Sequence, residues 1–494
     1  MDPVERRPRA RRHRQLAGDP IDALSLAGAA RDAGDHPALF TSGAGGGVLT
    51  FAELDARARA FAGALAARGI AAGSRVAILA QNRAETVIAV HALLAVGAAI
   101  VPIHPRLTPA EVAIIVDDAR PALTLREGDL DALLAEAPRA GEPWLTAIDP
   151  EAPLSIVYTS GTTGRPKGAL LSRRAFLASA AASAENLGWI AEDRWLLALP
   201  ICHIGGLSIL TRCLAARRAV ILEPRFDPDA VLAAIERRQA TLLSVVPTML
   251  AALLERDRHG VLARLRAVLS GGAATPWALL EECGRRGVPA LTTYGLTEAC
   301  SQATSQAPRS PYVPERGSGR PLPSVELRVE DTGRIYLRGP TLMSGYFRGE
   351  GAPPDTSTFT DGWLDTGDLG EIDEAGRLHV HARRTDLIVT GGENVYPLEI
   401  EQCLEALPGV RRALVFGVPD ARWGQLVAAA IEIEADAAID EAALVTALAV
   451  QLAPHKRPRL LAVVGALAVT GSGKLVRADA DARYAASPRP FQGS

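Results

Sequence analysis

Short strand-like runs that alternate with helical patterns limit the possible folds of this chain more than any other feature of its sequence. The runs Arg75–Leu79 and Ala99–Ile103 flank a helical pattern at Ala84–Val96, and further strand-like runs follow at Ala219–Leu222 and at residues 242–246 and 265–270. Strands that alternate with helices favour parallel sheets whose two faces are covered by helices. We therefore predict an α/β fold with a large N-terminal part built on parallel or mixed sheets.

Two helix starts in this part carry the capping-box pattern. Thr50 and Thr108 are each followed three residues later by a glutamate, so the side chain of each partner can bond the backbone N–H group of the other. We predict that the first of these helices extends to Arg68. A glycine-rich turn before it predicts a hairpin between residues 38–40 and 47–50.

The pattern changes twice in the second half of the chain. After about residue 315, alternating residues in Glu326–Val329 and Arg334–Arg338 indicate an antiparallel, barrel-like region. From Asp386 onwards, roughly 110 residues remain, a size that suits a small α+β domain. The charged run at 383–386 is typical of a hinge, although a surface turn inside one domain would have the same composition. We predict a tail and lead-in over residues 1–34, an N-terminal domain over 35–384 and a mobile C-terminal domain over 385–494.

Bulk properties exclude several classes of protein. With 494 residues the chain is too long for one core, and 48% hydrophobic with 22% charged residues is typical of globular proteins. A formal net charge of -3 does not indicate the basic surface that nucleic-acid-binding proteins have. The most apolar segment, residues 87–102, is broken by Gly97 and is too short to span a membrane. Five scattered cysteines, an odd number without a CxxC pair, favour a reducing cytoplasm.

Residues 158–168 form a loop that core packing does not explain. They read Tyr-Thr-Ser-Gly-Thr-Thr-Gly-Arg-Pro-Lys-Gly and follow a buried strand pattern, so backbone N–H groups and hydroxyls can converge on an anion. The loop is not a Walker A motif, because neither Ser nor Thr follows its lysine. A plain flexible linker is the alternative, but such linkers seldom end in Pro-Lys-Gly. We predict a polyphosphate-binding loop.

Further polar clusters follow predicted strands or glycine turns. They are residues 270–274 (Ser-Gly-Gly-Ala-Ala), 294–298 (Tyr-Gly-Leu-Thr-Glu), 365–368 (Asp-Thr-Gly-Asp), 391–394 (Gly-Gly-Glu-Asn) and 471–474 (Gly-Ser-Gly-Lys). The first of them offers a bare backbone surface that a flat ring can approach closely. Each cluster alone is equally compatible with an ordinary surface turn, so only their combination carries weight.

Together and in this order, the clusters resemble the motifs of the adenylate-forming superfamily, which includes acyl- and aryl-CoA ligases. The resemblance covers roughly residues 35 to 480. Runs at 199–208, 246–250, 294–302 and 391–397 look more narrowly like those of the o-succinylbenzoate-CoA ligases of menaquinone biosynthesis, although neighbouring aryl-CoA ligases share part of them. The resemblance implies the adenylate-forming enzyme fold, with ATP, Mg²⁺ and coenzyme A as cofactor and co-substrates.

The resemblance also implies roles for individual residues. The loop that holds the ATP phosphates would be Thr159, Ser160, Gly161, Thr162, Thr163, Gly164 and Lys167. The adenine slot would be Gly271, Gly272, Ala273, Tyr294 and Gly295, and the ribose would be bound by Asp368 and Arg383. Thr297 would contact phosphate, and Glu298 would hold Mg²⁺, a hard cation that prefers carboxylate oxygens.

The predicted C-terminal domain would complete the site. Lys474 would contact the acyl carboxylate and the α-phosphate, and the domain would rotate about Thr385 between the two half-reactions. The path of the coenzyme A pantetheine would be lined by Gly391, Gly392 and Glu393.

Three residues are candidates for the acyl pocket. A histidine after an apolar strand is more often structural, but the resemblance implies that His203 gates the pocket, and Ser208 would help to line it. Arg212 has two interpretations of equal weight. It would bind a second carboxylate of the substrate, or it would be an ordinary arginine on a helix surface. Gly205 replaces the serine that o-succinylbenzoate ligases often have there, which weakens the assignment of the acid.

We therefore predict an ATP- and Mg²⁺-dependent carboxylate-CoA ligase that works through an acyl-adenylate and releases AMP and pyrophosphate. The favoured acid is o-succinylbenzoate. The alternatives are another aryl- or fatty-acyl-CoA ligase and a carrier-loading adenylation enzyme. The predicted partners are a small carboxylic acid, ATP and coenzyme A, with a homodimer kept as an option.

Overall fold

The structure, a computed structural model, describes most of the chain. The described residues are 23–42, 46–136, 149–159, 166–309, 311–383, 386–390, 393–420, 423–434, 440–452, 454–470, 475–477, 479–484 and 489–490. Within these ranges, side chains are described except at residues 382, 383, 389, 393, 394, 441, 489 and 490.

The helices and strands of the described residues alternate through the first 300 positions. The helices are α1 Leu26–Ala33, α2 Phe51–Ala66, α3 Ala84–Val96, α4 Pro109–Ala119, α5 Glu127–Glu136, α6 Arg173–Leu187, α7 Ile204–Ala216, α8 Pro228–Arg238, α9 Pro247–Arg256, α10 Trp277–Arg285, α11 Pro397–Glu405, α12 Glu441–Gln451 and α13 Ala480–Tyr484. The strands up to residue 305 are β1 Pro37–Thr41, β2 Val48–Thr50, β3 Arg75–Leu79, β4 Ala99–Ile103, β5 Leu123–Leu125, β6 Pro153–Thr159, β7 Lys167–Ser172, β8 Arg194–Leu197, β9 Ala219–Leu222, β10 Leu242–Val245, β11 Ala267–Ser270, β12 Ala290–Leu296 and β13 Ser301–Ser305. The later strands are β14 Arg320–Pro321, β15 Glu326–Val329, β16 Arg334–Arg338, β17 Phe359–Thr360, β18 Trp363–Ile372, β19 Leu378–Arg383, β20 Ile388–Thr390, β21 Glu393–Val395, β22 Val410–Asp420, β23 Gly424–Ile433, β24 Leu460–Val464 and β25 Arg489–Pro490.

The largest sheet has nine strands within the described residues, in the order β14-β13-β12-β11-β10-β8-β9-β1-β2. Neighbouring strands are parallel from β12 through β11, β10, β8 and β9 to β1, and antiparallel at both ends of the sheet. All four residues of β9 are buried, as expected for a strand that is covered by helices on both faces.

A second sheet of the described residues has the order β5-β3-β4-β6-β7, in which only β7 runs antiparallel to its neighbour. Helix α3 connects β3 and β4 and is buried over most of its length. It ends at Gly97, whose φ of 78° is the left-handed conformation that closes many helices and that glycine adopts without strain. This connection gives β3 and β4 the parallel arrangement that the alternating pattern predicts.

Later strands form two separate sheets. Strands β15, β16, β18 and β17 make an antiparallel sheet with β19 on the far side of β18, in the region predicted to be barrel-like. Strands β20 to β25 make a sheet of their own, and α11 and α12 contribute to the apolar core around Ile400 and Leu448. Because residues 384 and 385 lie outside the described residues, the domain boundary there stays a prediction.

Most element predictions are confirmed and the differences have simple causes. Both capping boxes form, and the predicted hairpin is the β1–β2 pair. Helix α2 ends at Ala66 instead of Arg68, because the chain tightens before Gly69, where φ is 77°. Strand β11 begins at Ala267, since Leu265 caps a short 3₁₀ turn. In the part of the chain that the structure describes, we find no helix with the length and apolarity that a membrane crossing requires.

Candidate active site

The two parallel sheets meet at the carboxyl ends of their strands, where Asn82 joins them. Asn82 follows β3, and its Nδ2 donates to the carbonyl oxygens of Leu199 at 3.0 Å and Glu223 at 3.1 Å, which follow β8 and β9. Its Oδ1 accepts a hydrogen bond from the backbone N–H of Ile201 at 3.0 Å. In open α/β sheets, ligands bind outside the carboxyl ends of the strands. The cleft between the two edges is therefore the candidate active site.

The flanks of the predicted phosphate loop are held together by the β6–β7 pair. Thr159 lies opposite Lys167, and its Oγ1 donates to the Lys167 carbonyl oxygen at 3.4 Å. Gly168 is buried behind them, and a Cβ atom there would lie only 2.6 Å from Ile156 Cγ2, so the close pairing requires glycine. Both ends of the loop thus emerge at one point of the sheet edge. Ser160, Gly161, Thr162, Thr163 and Gly164 lie outside the described residues.

Lys167 and Glu298 are connected through Tyr346. The Lys167 Nζ lies 5.3 Å from the centroid of the Tyr346 ring, and the Tyr346 hydroxyl donates to Glu298 Oε1 at 2.7 Å. The backbone N–H of Met343 also donates to the Glu298 carbonyl oxygen at 2.8 Å. A cation, an aromatic ring and a carboxylate therefore lie in sequence beside the phosphate loop.

A bulge in β12 sets the direction of the turn that carries Thr297 and Glu298. The pairing of β12 with β13 shifts register between Tyr294 and Gly295. A Cβ atom on Gly295 would lie 1.8 Å from the Ser301 carbonyl oxygen, so no other residue fits without moving the backbone. Bulges next to active sites change the direction of the residues that follow. Here those residues are the predicted phosphate and metal ligands.

Glu298 fits a hard divalent cation. Its carboxylate is half-buried, Oε1 is occupied by Tyr346, and Oε2 makes no hydrogen bond with any residue that the structure describes. An anionic oxygen that is accessible and not already bonded is the donor that Mg²⁺ prefers. The residue can therefore supply one Mg²⁺ ligand, with the remaining positions left to phosphate oxygens and water.

The glycine turn after β11 leaves a bare backbone surface at the same edge. Gly271 approaches the neighbouring strand so closely that a Cβ atom would lie 2.5 Å from Thr293 Oγ1. Gly272 has a φ of 79°, and both it and Ala273 are exposed. A flat ring can lie against such a surface, which agrees with the predicted adenine slot.

Tyr294 and Asp368 connect the nine-stranded sheet to the antiparallel sheet that contains β18. The Tyr294 hydroxyl donates to Asp368 Oδ2 at 2.7 Å, and both side chains are buried. Asp368 lies opposite Arg383 in the β18–β19 pair, which places the backbones of the two predicted ribose ligands side by side. The side chain of Arg383 lies outside the described residues.

His203 lies at the start of α7, directly after the segment that Asn82 holds. Its ring is half-buried, and its centroid lies 5.5 Å from that of His104, which follows β4. Ser208 is buried one helical turn further on, where its Oγ donates to the Gly205 carbonyl oxygen at 3.2 Å. The two predicted pocket residues thus lie on the same helix at the cleft, and their roles stay predictions.

Arg212 is not on a helix surface, which excludes the structural alternative considered for it. Its side chain is only 3% exposed, its Nη2 donates to Ser179 Oγ at 3.3 Å, and its guanidinium lies 5.8 Å from the Trp195 ring. Burial lowers the pKa of the Arg212 guanidinium to about 10, so it stays charged at neutral pH. Its Nε has no hydrogen-bond partner among the described residues. A buried cation with an unsatisfied donor is unusual in a folded protein, and an anionic ligand can supply the missing acceptor.

Several predicted residues of the C-terminal part fall where the structure describes nothing. Lys474, Thr385, Gly391 and Gly392 lie outside the described residues, and Glu393 is described only through its backbone, as the first residue of β21. Their roles stay predictions.

Beside this gap, Arg477 is described three residues after Lys474. Its guanidinium donates to both carboxylate oxygens of Glu401, at 2.7 and 2.6 Å, and lies 3.4 Å from Asp386. The segment that follows the predicted catalytic lysine is therefore anchored to α11 and to the residue after the predicted hinge.

Three site residues were not found by the sequence reasoning. Tyr346 and Asn82 contact predicted site residues or their flanking segments, but their partners are far away in the chain and no local motif marks them. His104 could have been found, because it directly follows a buried strand, as the predicted clusters do.

Comparison with known proteins gives consistent results. The family model described as AMP-binding enzyme matches residues 26–347, and the model described as AMP-binding enzyme C-terminal domain matches residues 399–474. The chain is 38% identical over 457 residues to the 2-succinylbenzoate--CoA ligase of Bacillus licheniformis, covering 87% of this chain and 94% of that protein. It is also 38% identical over 453 residues to the Bacillus subtilis (strain 168) protein of the same name, covering 87% and 92%.

Solved structures are similar over nearly the whole chain. The Bacillus subtilis o-succinylbenzoate CoA synthetase in complex with the acyl-adenylate intermediate OSB-AMP has a TM-score of 0.83 and 34% identity, covering 95% of this chain and 99% of that chain. The same enzyme in complex with ATP and a magnesium ion has a TM-score of 0.81 and 35% identity, covering 92% and 98%. ATP-bound MatB from Rhodopseudomonas palustris has a TM-score of 0.83 and 33% identity, covering 92% and 97%.

Proposed function

The chain belongs to the AMP-binding enzyme family, and from this premise we propose that it is an ATP-dependent ligase that joins 2-succinylbenzoate to coenzyme A. The reaction passes through an acyl-adenylate and releases pyrophosphate and AMP. Its product, a 2-succinylbenzoyl thioester of coenzyme A, serves menaquinone biosynthesis. The protein acts in the cytoplasm, either as a monomer or as a homodimer.

One observation carries this proposal. Polar residues follow the carboxyl ends of β6, β11 and β12 in a fold that is similar, at a TM-score of 0.83, to the Bacillus subtilis o-succinylbenzoate CoA synthetase in complex with its acyl-adenylate intermediate. Identity of 38% to proteins named 2-succinylbenzoate--CoA ligase extends along 87% of the chain. The support therefore comes from the whole fold as well as from the site.

The residues around Glu298 act on ATP. Thr159 and Lys167 hold the phosphates from the two ends of the loop, and Thr297 contacts phosphate from the bulged end of β12. When bound to Glu298, Mg²⁺ neutralises part of the phosphate charge. Lys474 contributes a second positive charge, which lets the anionic carboxylate approach the α-phosphate. Pyrophosphate then leaves, and the acyl group is left as a mixed anhydride with AMP.

The nucleoside is positioned by residues that already contact each other. The adenine lies between the backbone of the turn at Gly271 and the ring of Tyr294, with Gly272, Ala273 and Gly295 completing the slot. Asp368 binds the ribose hydroxyls together with Arg383. Because Tyr294 donates to Asp368, the hydrogen bond fixes the orientation of the ring and of the carboxylate at once.

The second carboxylate of 2-succinylbenzoate is bound by Arg212. Among the described residues, no carboxylate forms an ion pair with this buried guanidinium, and its Nε lacks a partner. A dianionic substrate removes this deficit, because guanidinium and carboxylate form strong charge-assisted hydrogen bonds. His203 controls access to the same pocket, and Ser208 lines it.

A rotation of the C-terminal domain separates the two half-reactions. Residues 385–494 turn about Thr385, which withdraws Lys474 from the mixed anhydride. Gly391, Gly392 and Glu393 then line the path of the pantetheine arm, along which the thiol of coenzyme A reaches the acyl carbon. One cleft thus serves both reactions in turn.

A pyrophosphate-release assay over a panel of carboxylic acids tests the proposal. We expect release with ATP, Mg²⁺ and 2-succinylbenzoate, and a clear preference for this acid over benzoate, malonate and medium-chain fatty acids. Steady turnover should require free coenzyme A, which also separates the enzyme from a carrier-loading adenylation enzyme. Release with another acid of the panel, but none with 2-succinylbenzoate, would refute the proposed substrate.

A coenzyme A ligase for another acid is the second candidate. ATP-bound MatB has the same TM-score as the o-succinylbenzoate enzyme, so the fold alone does not choose the acid. Gly205 also stands where the resemblance leads us to expect serine. The acid that gives the highest kcat/KM in the panel decides between the two candidates.

A further inference from the structure

Three side chains with soft or borderline metal-ligating atoms meet at the mouth of the cleft. His104 follows β4, and Cys202 and His203 precede α7. One ligand atom from each of the three lies within 4.8 Å of the other two. None of the three belongs to the residues proposed to act on ATP, and only His203 has a proposed role in the reaction, as the gate of the acyl pocket.

The donor set selects the type of ion. Two imidazole nitrogens and one thiolate sulfur are ligands that Zn²⁺ and similar thiophilic divalent ions prefer, whereas Mg²⁺ prefers oxygen. Bonds of about 2.0 to 2.3 Å to a tetrahedral ion place its ligand atoms roughly 3.5 Å apart. A closure of about 1 Å would therefore bring the cluster to bonding geometry, and rotation of two half-buried rings can supply it.

The surroundings predict an exchangeable ion instead of a permanent structural one. Three protein ligands leave a fourth position open to water or to a ligand in the cleft. His104 Nδ1 accepts a hydrogen bond from the backbone N–H of Arg106 at 3.0 Å, so the neutral ring carries its proton on Nε2. Coordination through Nε2 moves that proton to Nδ1 and gives up this hydrogen bond. The Cys202 thiol, which is 4% exposed, releases its proton to water as the bond from sulfur to the ion forms.

We propose that His104, Cys202 and His203 form a binding site for an exchangeable thiophilic divalent cation such as Zn²⁺. Binding of the ion depends only on these three residues. Its consequence depends on the proposed function, because an ion that holds the His203 ring blocks the gate of the acyl pocket. Zn²⁺ then inhibits the ligase at concentrations far below that of the Mg²⁺ that supports it.

Titration of the chelator-treated, full-length protein with Co²⁺ tests the site independently of activity. We expect one Co²⁺ per chain, with a sulfur-to-cobalt charge-transfer band and visible bands of a tetrahedral ion, all displaced by Zn²⁺. Cys202→Ser should lose the charge-transfer band. His104→Ala should keep the thiol but lower the Co²⁺ affinity by at least about 10- to 100-fold. Loss of an outer-shell partner already costs that much at metal sites, and His104 is proposed as a direct ligand.

Two other cysteines provide matched controls. Cys403→Ser removes a half-buried thiol of the C-terminal part, and Cys283→Ser removes a buried thiol far along the chain from the cluster; both should keep the band. Absence of the band in the wild-type protein, or its persistence in Cys202→Ser, would overturn the site. Circular dichroism and thermal unfolding confirm that each variant is folded.

An activity measurement separates the site from the ligase proposal. Micromolar Zn²⁺ in excess Mg²⁺-ATP should inhibit pyrophosphate release by the wild-type protein, and a chelator should restore it. Pyrophosphate release by Cys202→Ser in the presence of Zn²⁺ should stay close to the rate of the same variant without Zn²⁺. A cobalt band in a protein without ligase activity would support the metal site and refute the proposed function. Ligase activity without the band would support the proposed function and refute the metal site.

Discussion

Arg212 is the single buried charge that we propose binds the second carboxylate of the substrate. Burial of an arginine without a carboxylate partner costs free energy, so stability alone explains such a residue poorly. A residue of this kind is best explained by what it binds. Arg173 on α6 is a second buried arginine, and its Nη2 donates to the Leu94 carbonyl oxygen; unlike Arg212, it has no buried nitrogen without a hydrogen-bond partner among the described residues.

Arg212→Gln should raise the KM for 2-succinylbenzoate by about 10- to 100-fold, because hydrogen bonds to charged groups contribute about 1.5–3 kcal/mol. The KM for a monocarboxylate such as benzoate should stay unchanged. Arg173→Gln is the matched control, and it should alter the free energy of unfolding without a selective effect on either acid. An equal change in KM for both acids in Arg212→Gln would show that the residue does not bind the second carboxylate.

Glu405 on α11 provides a pH test of the C-terminal part. Burial raises the pKa of this carboxyl to about 7, with the charge of Glu401 adding to the effect. A carboxyl whose folded pKa lies above its unfolded value stabilises the fold most below pH 4.5, and this contribution disappears as the pH rises through 7.

Glu405→Gln should therefore be more stable than the wild-type protein by roughly 1–3 kcal/mol at pH 8 and similar to it at pH 5. The backbone N–H of Ala413, which donates to Glu405 Oε1, keeps an acceptor in the amide. Urea unfolding at the two pH values measures the difference. A stability difference that is the same at both pH values would mean that the carboxyl titrates normally.

Residue contacts across the cleft were only partly predictable. Tyr294, Glu298 and Asp368 could be found because each lies in a short motif that follows a strand or a turn. Tyr346 lies 48 residues from Glu298, and nothing in the spacing of the sequence indicates that the two side chains touch. The same holds for Asn82, whose bonds connect segments 117 to 141 residues apart. Such contacts follow from how the sheets pack, which local patterns do not encode.

At the scale of elements, the β12–β13 bulge positions two of the proposed ligands of ATP and Mg²⁺. The bulge exists because Gly295 lets the strand pass against the Ser301 carbonyl oxygen, and the chain then turns through Cys300 and Ser301 with φ values of 51° and 91°. Positive φ values at residues with side chains are sparsely populated and concentrate at functional sites. The backbone there holds Thr297 and Glu298 at the cleft.

Gly295→Ala should lower kcat/KM for pyrophosphate release by about 100-fold, because a shift of about 1 Å in a positioning element costs on that order. The overpacked strand should also lose about 1–3 kcal/mol of unfolding free energy. Gly128→Ala on α5 is the control, since a Cβ atom there meets nothing within 4 Å. Full activity in Gly295→Ala would show that the bulge does not position the ligands.

The elements themselves were largely predictable from sequence. Apolar runs bounded by glycine, proline or charge predicted β3, β4, β9, β15 and β16 with the bounds that the structure has. The start of β11 was wrong because Leu265 is as buried and apolar as the strand that follows it, so composition does not separate a 3₁₀ turn from a strand end. The order of strands in the nine-stranded sheet, which places β1 beside β9, could not be predicted, since it depends on contacts between distant segments.

For the whole molecule, the proposed reaction requires two parts of the chain to act on one substrate in turn. The N-terminal part carries the residues proposed to bind ATP and the acid, and the C-terminal part carries the proposed catalytic residue Lys474. Arg477 anchors the segment after Lys474 to α11 and to Asp386, so a movement about Thr385 would carry the lysine with it. The sequence predicted this division through the order of its motifs, but the geometry at residues 471–474 lies outside the described residues.

Lys474→Ala should reduce the formation of acyl-adenylate from ATP by at least about 100-fold, because it removes a charge that stabilises the transition state. The same variant should largely keep the conversion of supplied acyl-adenylate to thioester. Lys456→Ala, which removes a lysine paired with Glu399 in the same part of the chain, should affect neither half-reaction to this degree. Equal losses in both half-reactions of Lys474→Ala would contradict the two-state account.

The most direct test of the central claim is mass spectrometry of the products formed from ATP, Mg²⁺ and 2-succinylbenzoate, with and without coenzyme A. Without coenzyme A, we predict an enzyme-bound acyl-adenylate and pyrophosphate in amounts close to that of the enzyme. With coenzyme A, we predict continuous formation of the 2-succinylbenzoyl thioester, with one AMP and one pyrophosphate per thioester. Formation of ADP and phosphate, or of no thioester from this acid, would contradict the account.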